Sequence, residues 1–181
     1  MTSRPGQKLI YTIGHSTRTI ADFLNLLTGA GITTIIDVRA IPRSRTNPQF
    51  NLEVLPGSLA GFGIGYRHIA ALGGRRHRPH GAAPSPNAYW RNQSFRNYAD
   101  YAMTEAFAAG MRELQAASTP GRCALMCSEA VWWRCHRRII ADYLMAEGST
   151  VMHILGRSAP QVASPTPGLR RMPDGSLVYP A

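Results

Sequence analysis

A strand, a helix and a second strand follow one another between Leu9 and Val38, and that order constrains the fold of this chain more than any other feature. Leu9 to Ile13 is apolar or β-branched and ends in Gly14-His15-Ser16. Thr19 then offers an N-cap with Asp22 three residues on, and Ile20, Phe23, Leu24 and Leu27 recur at the spacing of one helical face. Gly29 and Gly31 stop the helix, and Thr33 to Val38 supplies a β-branched run ending in Asp37-Val38-Arg39. A strand-helix-strand unit of this kind makes a parallel pair with a right-handed crossover.

The rest of the chain extends that theme. From Ala40 to Leu59 the segment is punctuated by Pro42, Pro48, Pro56 and Gly57 and reads as a long loop with a short helix. Gly63 to Ile69 is a third strand weakened by its glycines, and residues 73 to 94 are irregular around a basic Gly73 to Gly81 core. Ser94 is the expected cap of one long helix from Phe95 to about Ala117. Cys123 to Cys127 is a buried strand, and even spacing puts both of these cysteines on one face. A helix follows from Trp132 to Glu147 with Ile139, Ile140, Tyr143 and Leu144 inward, then a last strand from Thr150 to Leu155. The pattern predicts a single-domain α/β fold over residues 1–157, with a mostly parallel sheet flanked by helices. Residues 158–181 form a proline-rich C-terminal extension that packs on the domain or trails from it.

A length of 181 residues suits one domain with a substantial core. No apolar run approaches the roughly 20 residues of a membrane span and the N-terminus lacks an apolar signal core, so a cytoplasmic protein without a membrane partner is expected. Three cysteines, an odd number, argue for reduced thiols rather than a disulfide framework. The net charge of +10 comes almost wholly from arginine, Lys8 being the only lysine. Such a charge attracts anions, and the guanidinium fork suits phosphate. Oligomeric state is left open by the sequence.

Three strand exits carry the chemistry. His15 and Ser16 follow the first strand, Asp37, Arg39, Arg43 and Ser44 follow the second, and Cys127, Ser128 and Glu129 follow the fourth, ahead of Arg134, Cys135, His136 and Arg137. Parallel strands bring these exits to one sheet edge, where open α/β sheets bind ligands. His15, Asp37, Cys127, Glu129, Cys135 and His136 are the catalytic candidates. Ser16, Arg39, Arg43, Ser44, Arg134 and Arg137 are the substrate-binding candidates, and Arg75, Arg76 and Arg78 the candidates for nucleic acid. Either Cys127 or Cys135 suits a nucleophilic thiolate, because arginines and helix-start amides lower a thiol pKa. Six residues separate Cys127 from Arg134, one more than in the familiar phosphatase loop. No cofactor is expected, with zinc on Cys127, Cys135, His136 and His15 as the competing chemistry; the absence of a Cys-x-x-Cys pair and the arginine neighbours weigh against it.

Thr12-Ile13-Gly14-His15-Ser16, Asp37-Val38-Arg39 with Pro42 and Ser44, Gly63 to Tyr66 with Leu72-Gly73-Gly74, Phe95-x-x-Tyr98-Ala99, and Leu125-Met126-Cys127-x-Glu129 with Cys135-His136-Arg137 together resemble the family Domain of Unknown Function 488. The resemblance runs from about residue 10 to 156 and implies an α/β fold with a polar site built from those segments. It carries no activity. Members of that family often have an acidic or proline-containing linker where Ala130 to Arg134 is bulky and aromatic in this chain. The expectation is a small enzyme, a hydrolase or group transferase, acting on a phosphate-bearing substrate such as a nucleotide or nucleic acid. The alternatives are a non-enzymatic nucleic-acid-binding module with structural thiols, and a zinc or redox Cys-His site.

Overall fold

The computed structural model describes residues 8–119 and 121–181; residues 1–7 of the expected domain lie outside the described residues. The regular elements are β1 (Leu9–Gly14), α1 (Ile20–Gly29), β2 (Thr34–Asp37), α2 (Leu55–Ala60), β3 (Gly65–His68), α3 (Gln93–Ala102), α4 (Glu105–Ala117), β4 (Cys123–Cys127), α5 (Arg137–Ala146), β5 (Thr150–Ile154), β6 (Gln161–Val162), β7 (Arg170–Arg171) and β8 (Leu177–Val178). Six strands form one sheet in the order β3-β2-β4-β1-β5-β6. Its first five strands are parallel, and β6 alone runs antiparallel.

Side-chain alternation divides the core into two layers. Tyr11, Ile13, Ile35, Ala124 and Met126 face α1 and α2, packing on Phe23, Leu27, Leu55 and Leu59. Ile10, Ile36, Leu125, Cys123 and Cys127 face the other way, onto Tyr98, Phe107, Leu114, Ile139 and Ile140 of α3, α4 and α5. Thr19 caps α1 by accepting a hydrogen bond from the Asp22 amide at 3.1 Å. Thr19→Ala is expected to lower stability by about 1 kcal/mol in chemical denaturation, the ordinary worth of an N-cap; an unchanged midpoint would show that the cap is redundant with packing of the apolar face.

The topology fixes where a ligand can sit. From β1 the chain crosses over β4 to reach β2, whereas from β4 it crosses over β1 to reach β5. The adjacent exits of β1 and β4 therefore diverge to opposite faces, the arrangement that opens a crevice at strand carboxyl ends.

Two expected helices differ from the structure. The long helix from Phe95 breaks into α3 and α4, because Thr104 leaves the helical conformation and caps α4 through the Phe107 amide; Asn92, rather than Ser94, caps α3. The helix expected from Trp132 starts at Arg137, and Trp132–Arg134 forms a separate 3-10 turn. Cys135 thus lies ahead of α5 in extended backbone. The C-terminal extension packs on the body: Leu177 and Tyr179 are buried in the layer of α3 and α5, and Tyr179 donates to Asp142 at 3.0 Å. No helix among the described residues is long and apolar enough to cross a membrane.

Candidate functional site

The β2 exit is built around a buried ion pair. Arg39 donates through Nε to both Asp37 oxygens at 2.9 and 3.1 Å and through Nη2 to Oδ2 at 2.6 Å. The same carboxylate accepts from Tyr66 Oη at 2.7 Å and from the Arg39 amide at 3.0 Å. Arg39 also donates to the Phe50 carbonyl at 2.7 Å, and its Nη1 meets His15 Nε2 at 3.3 Å. Since a guanidinium only donates, Nε2 of His15 accepts, and Nδ1 carries the proton given to the Ser16 carbonyl at 2.8 Å. Both ring nitrogens are occupied. Burial, with Arg39 beside it, lowers His15 to about 4, against the opposing pull of the Ser16 carbonyl, and the neutral ring stacks on Phe50 at 4.2 Å. Ser16 holds its carbonyl in place from a left-handed conformation, φ 50°.

The β4 exit carries the thiols. The amides of His15 and Ser16 bond the carbonyls of Cys127 and Ser128 at 2.9 and 3.0 Å, extending the β1–β4 ladder past the strands. Gly14 permits this approach, because a Cβ there would run into the Glu129 and Ala130 carbonyls. Cys135 Sγ lies 3.6 Å from His136 Nδ1 and accepts from Arg137 Nε at 3.2 Å. His136 gives its Nε2 proton to the Val38 carbonyl at 2.8 Å, which turns Nδ1 toward the sulfur. Gly74 makes room for that ring, since a Cβ there would overlap it.

Arg137 sets the electrostatics. It is 1% exposed, yet among the described residues no carboxylate lies within ion-pair distance of it. Its side chain donates to the Glu129 carbonyl and to Cys135 Sγ. A buried cation needs a counter-charge, and the Cys135 thiolate is the group in reach. Burial by itself raises the Cys135 pKa, but the Cys127 thiol proton, the Arg137 charge and hydrogen bond, and the Arg137 amide outweigh it and lower it to about 6. The partner moves oppositely: the neighbouring Cys135 sulfur, together with burial, raises Cys127 to about 12. The sulfurs of Cys127 and Cys135 and Nδ1 of His136 all lie within 4.8 Å of one another, close enough together to hold a metal ion.

These groups open onto one cavity of about 570 Å³. His15, Ser16, Arg39, Arg43, Ser44, Cys127, Glu129, Arg134, Cys135 and His136 line it, so most of the residues expected at one edge do converge there. Two of the expected phosphate clamps are otherwise engaged, however. Arg39 is tied to Asp37 and Arg137 is sealed beneath Cys135, so neither is a rim donor. Arg43 lines the cavity but pairs with Glu53 at 2.9 Å. Arg75 and Arg134 are exposed, and among the described residues their side chains have no protein partner.

The basic loop also departs from expectation. Arg76 donates to the carbonyls of Gly73, Ala70 and Ala71 and lies over the Tyr101 ring at 3.8 Å, while Arg78 pairs with Asp100 at 3.7 Å. Only Arg75 of the three faces the cavity, so they form no flat cationic face. Sequence reasoning missed Phe50 and met Tyr66 and Tyr98 only within the family motifs, with no role for either; the three supply a ring, a hydroxyl and part of the wall. Phe50 comes from a proline-rich loop without periodicity, and Tyr66 from the weak third strand.

The order of these pieces along the chain matches a known family. The family described as Domain of unknown function DUF488 matches residues 19–144. The chain belongs to that DUF488 family. The match spans the Asp37-Val38-Arg39 exit, the Gly73-Gly74 turn and both thiol segments, while Gly14-His15-Ser16 lies just before it. No curated protein and no solved structure matches the chain.

Proposed function

We propose that this DUF488 protein is a cysteine-dependent enzyme, a hydrolase or group transferase, acting on a phosphate-bearing substrate in the crevice between the β1 and β4 exits. The observation that carries the reading is the buried Arg137, which among the described residues has no carboxylate within ion-pair distance and lies against Cys135. Cys135 is the nucleophile and Cys127 the thiol that steadies it. Arg134 and Arg75 receive the phosphate, with Arg43 at the same rim. Attack by Sγ forms a bond to the electrophilic centre, and the leaving group departs with its bonding pair. Water or an acceptor hydroxyl then displaces the sulfur, its proton taken by the exposed Glu129 carboxylate at the mouth. His15 and Asp37 hold Arg39 and shape the floor rather than transfer protons.

The test is alkylation of Cys135 by iodoacetamide as a function of pH, with and without inorganic phosphate. The expected midpoint is about 6. Phosphate should protect, and Arg134→Ala or Arg75→Ala should weaken that protection by about tenfold each, the worth of one charge-assisted hydrogen bond. An ordinary thiol titration near 9 would remove the nucleophile, and full protection in both variants would move the anion elsewhere.

A second reading draws on one contact pattern. In it, Cys127, Cys135 and His136 hold zinc, His136 giving its outer N–H to a backbone carbonyl as metal-bound imidazoles do. Zinc with an open position toward the cavity would supply an activated water. The Arg137 cation against one of the three donors weighs against it. A stoichiometric equivalent of zinc in protein purified without added metal, lost in Cys127→Ser, would favour this reading over the thiolate.

A further inference from the structure

We propose that Cys127 and Cys135 form a peroxide-responsive dithiol, in which Cys135 is oxidised first and Cys127 resolves it to an internal disulfide. The inference rests on the proposed role of Cys135 as nucleophile and on the nearness of the two sulfurs, and it adds a modification site to that reading. Two sulfurs within 4.8 Å of each other line the same cavity, one at the end of β4 and the other just ahead of α5. A disulfide needs a sulfur separation of about 2.05 Å, so the two must close by less than about 3 Å. Cys135 has not entered the helix, and residues 128–134 between the two form a loop with a single 3-10 turn. Cys123 cannot compete: four strand residues place it roughly 13 Å from Cys127 along β4.

The chemistry balances with a hydroperoxide as oxidant. The Cys135 thiolate attacks one peroxide oxygen; the S–O bond forms, the O–O bond breaks, and the departing hydroxide or alkoxide takes up a proton. Cys127 then attacks the Cys135 sulfur. The S–S bond forms, the S–O bond breaks, and the leaving hydroxide takes the Cys127 thiol proton as water. An external dithiol returns both residues to the reduced form by exchange. Oxidation also removes the anion facing Arg137, leaving a buried cation uncompensated. That penalty falls on the oxidised form, so the disulfide should be readily reducible and the response reversible.

The experiment uses the whole chain treated with hydrogen peroxide, then non-reducing digestion and mass spectrometry, in parallel with iodoacetamide alkylation of untreated protein. The expected product has lost two hydrogens, carries a peptide cross-link between Cys127 and Cys135, and reverts with dithiothreitol. Cys127→Ser should instead accumulate a sulfenic acid on Cys135 that dimedone traps, and Cys123→Ser should behave as the parent. The cross-link is read in the unaltered protein, so a poorly folding variant does not decide the matter. Rapid alkylation of Cys135 combined with direct passage to sulfinic acid, without a cross-link, overturns the resolving role and leaves the nucleophile standing. Slow alkylation together with inertness to peroxide overturns both.

Discussion

Asp37→Ala is expected to cost about 3–5 kcal/mol of folding stability, the penalty for leaving a buried charge without its partner. Asp37 is fully buried and Arg39 is 5% exposed, so water cannot take over the lost contacts. The carboxylate accepts from the Arg39 fork, the Arg39 amide and the Tyr66 hydroxyl, and all three donors would be left facing an empty space. Against a total stability of about 5–15 kcal/mol for a domain, that is a large share. Urea denaturation at neutral pH reads it as a fall in midpoint at unchanged slope. Asp37→Leu combined with Arg39→Met should recover most of the loss, because a buried ion pair is often worth no more than the apolar groups that replace it. A loss below about 1 kcal/mol in Asp37→Ala would mean that Arg39 finds another anion, and the floor of the site would need a different account.

The same ion pair marks how far the sequence could be read. Asp37 and Arg39 are two residues apart at a strand end, and their pairing follows from that proximity. The β1, α1 and β2 elements were legible because three apolar periods agree with a cap at Thr19 and glycines at the far end. The shared face of Cys123 and Cys127 followed from strand alternation. The break between α3 and α4 was not legible in the same way, since Thr104 sits within an otherwise continuous apolar stripe and only its side-chain bond to Phe107 ends one helix and starts the next. Arginine roles were hardest to read. Charge is visible in a sequence, but its counterpart is not: Arg76 is fixed by three carbonyls and a ring that folding brings to it, and Arg137 is buried on a sulfur two residues before it. The convergence of three strand exits was legible from the βαβ logic, whereas the division between donors that reach the cavity and donors that build it needed coordinates.

Arg137→Met should move the alkylation midpoint of Cys135 from about 6 toward the ordinary thiol value of 9.0 or above it. Methionine fills much of the same space without charge, and what remains is burial, which raises a thiol pKa. The rate at pH 7 should fall only severalfold, because a more basic thiolate is also intrinsically more nucleophilic; the midpoint is therefore the quantity to measure. Stability carries the same signature. Cys135 has a depressed folded pKa, so its contribution is fully present above about 9 and is lost as pH falls through about 6. Stability of the parent should thus rise between pH 6 and 9, and above 9 it should decline as Cys123 and Cys127, raised to about 11 and about 12, resist ionisation that the unfolded chain allows. In Arg137→Met the rise between 6 and 9 should flatten. Below that window His15 and His153, both lowered to about 4 chiefly by burial, make stability fall as pH drops from 6.5 toward 4, and this limb should survive the substitution, though weakened, because Arg137 helps lower both histidines. A midpoint that stays near 6 in Arg137→Met would assign the thiolate to the Cys127 proton and the α5 amide instead, and Cys127→Ser would then be the substitution to compare.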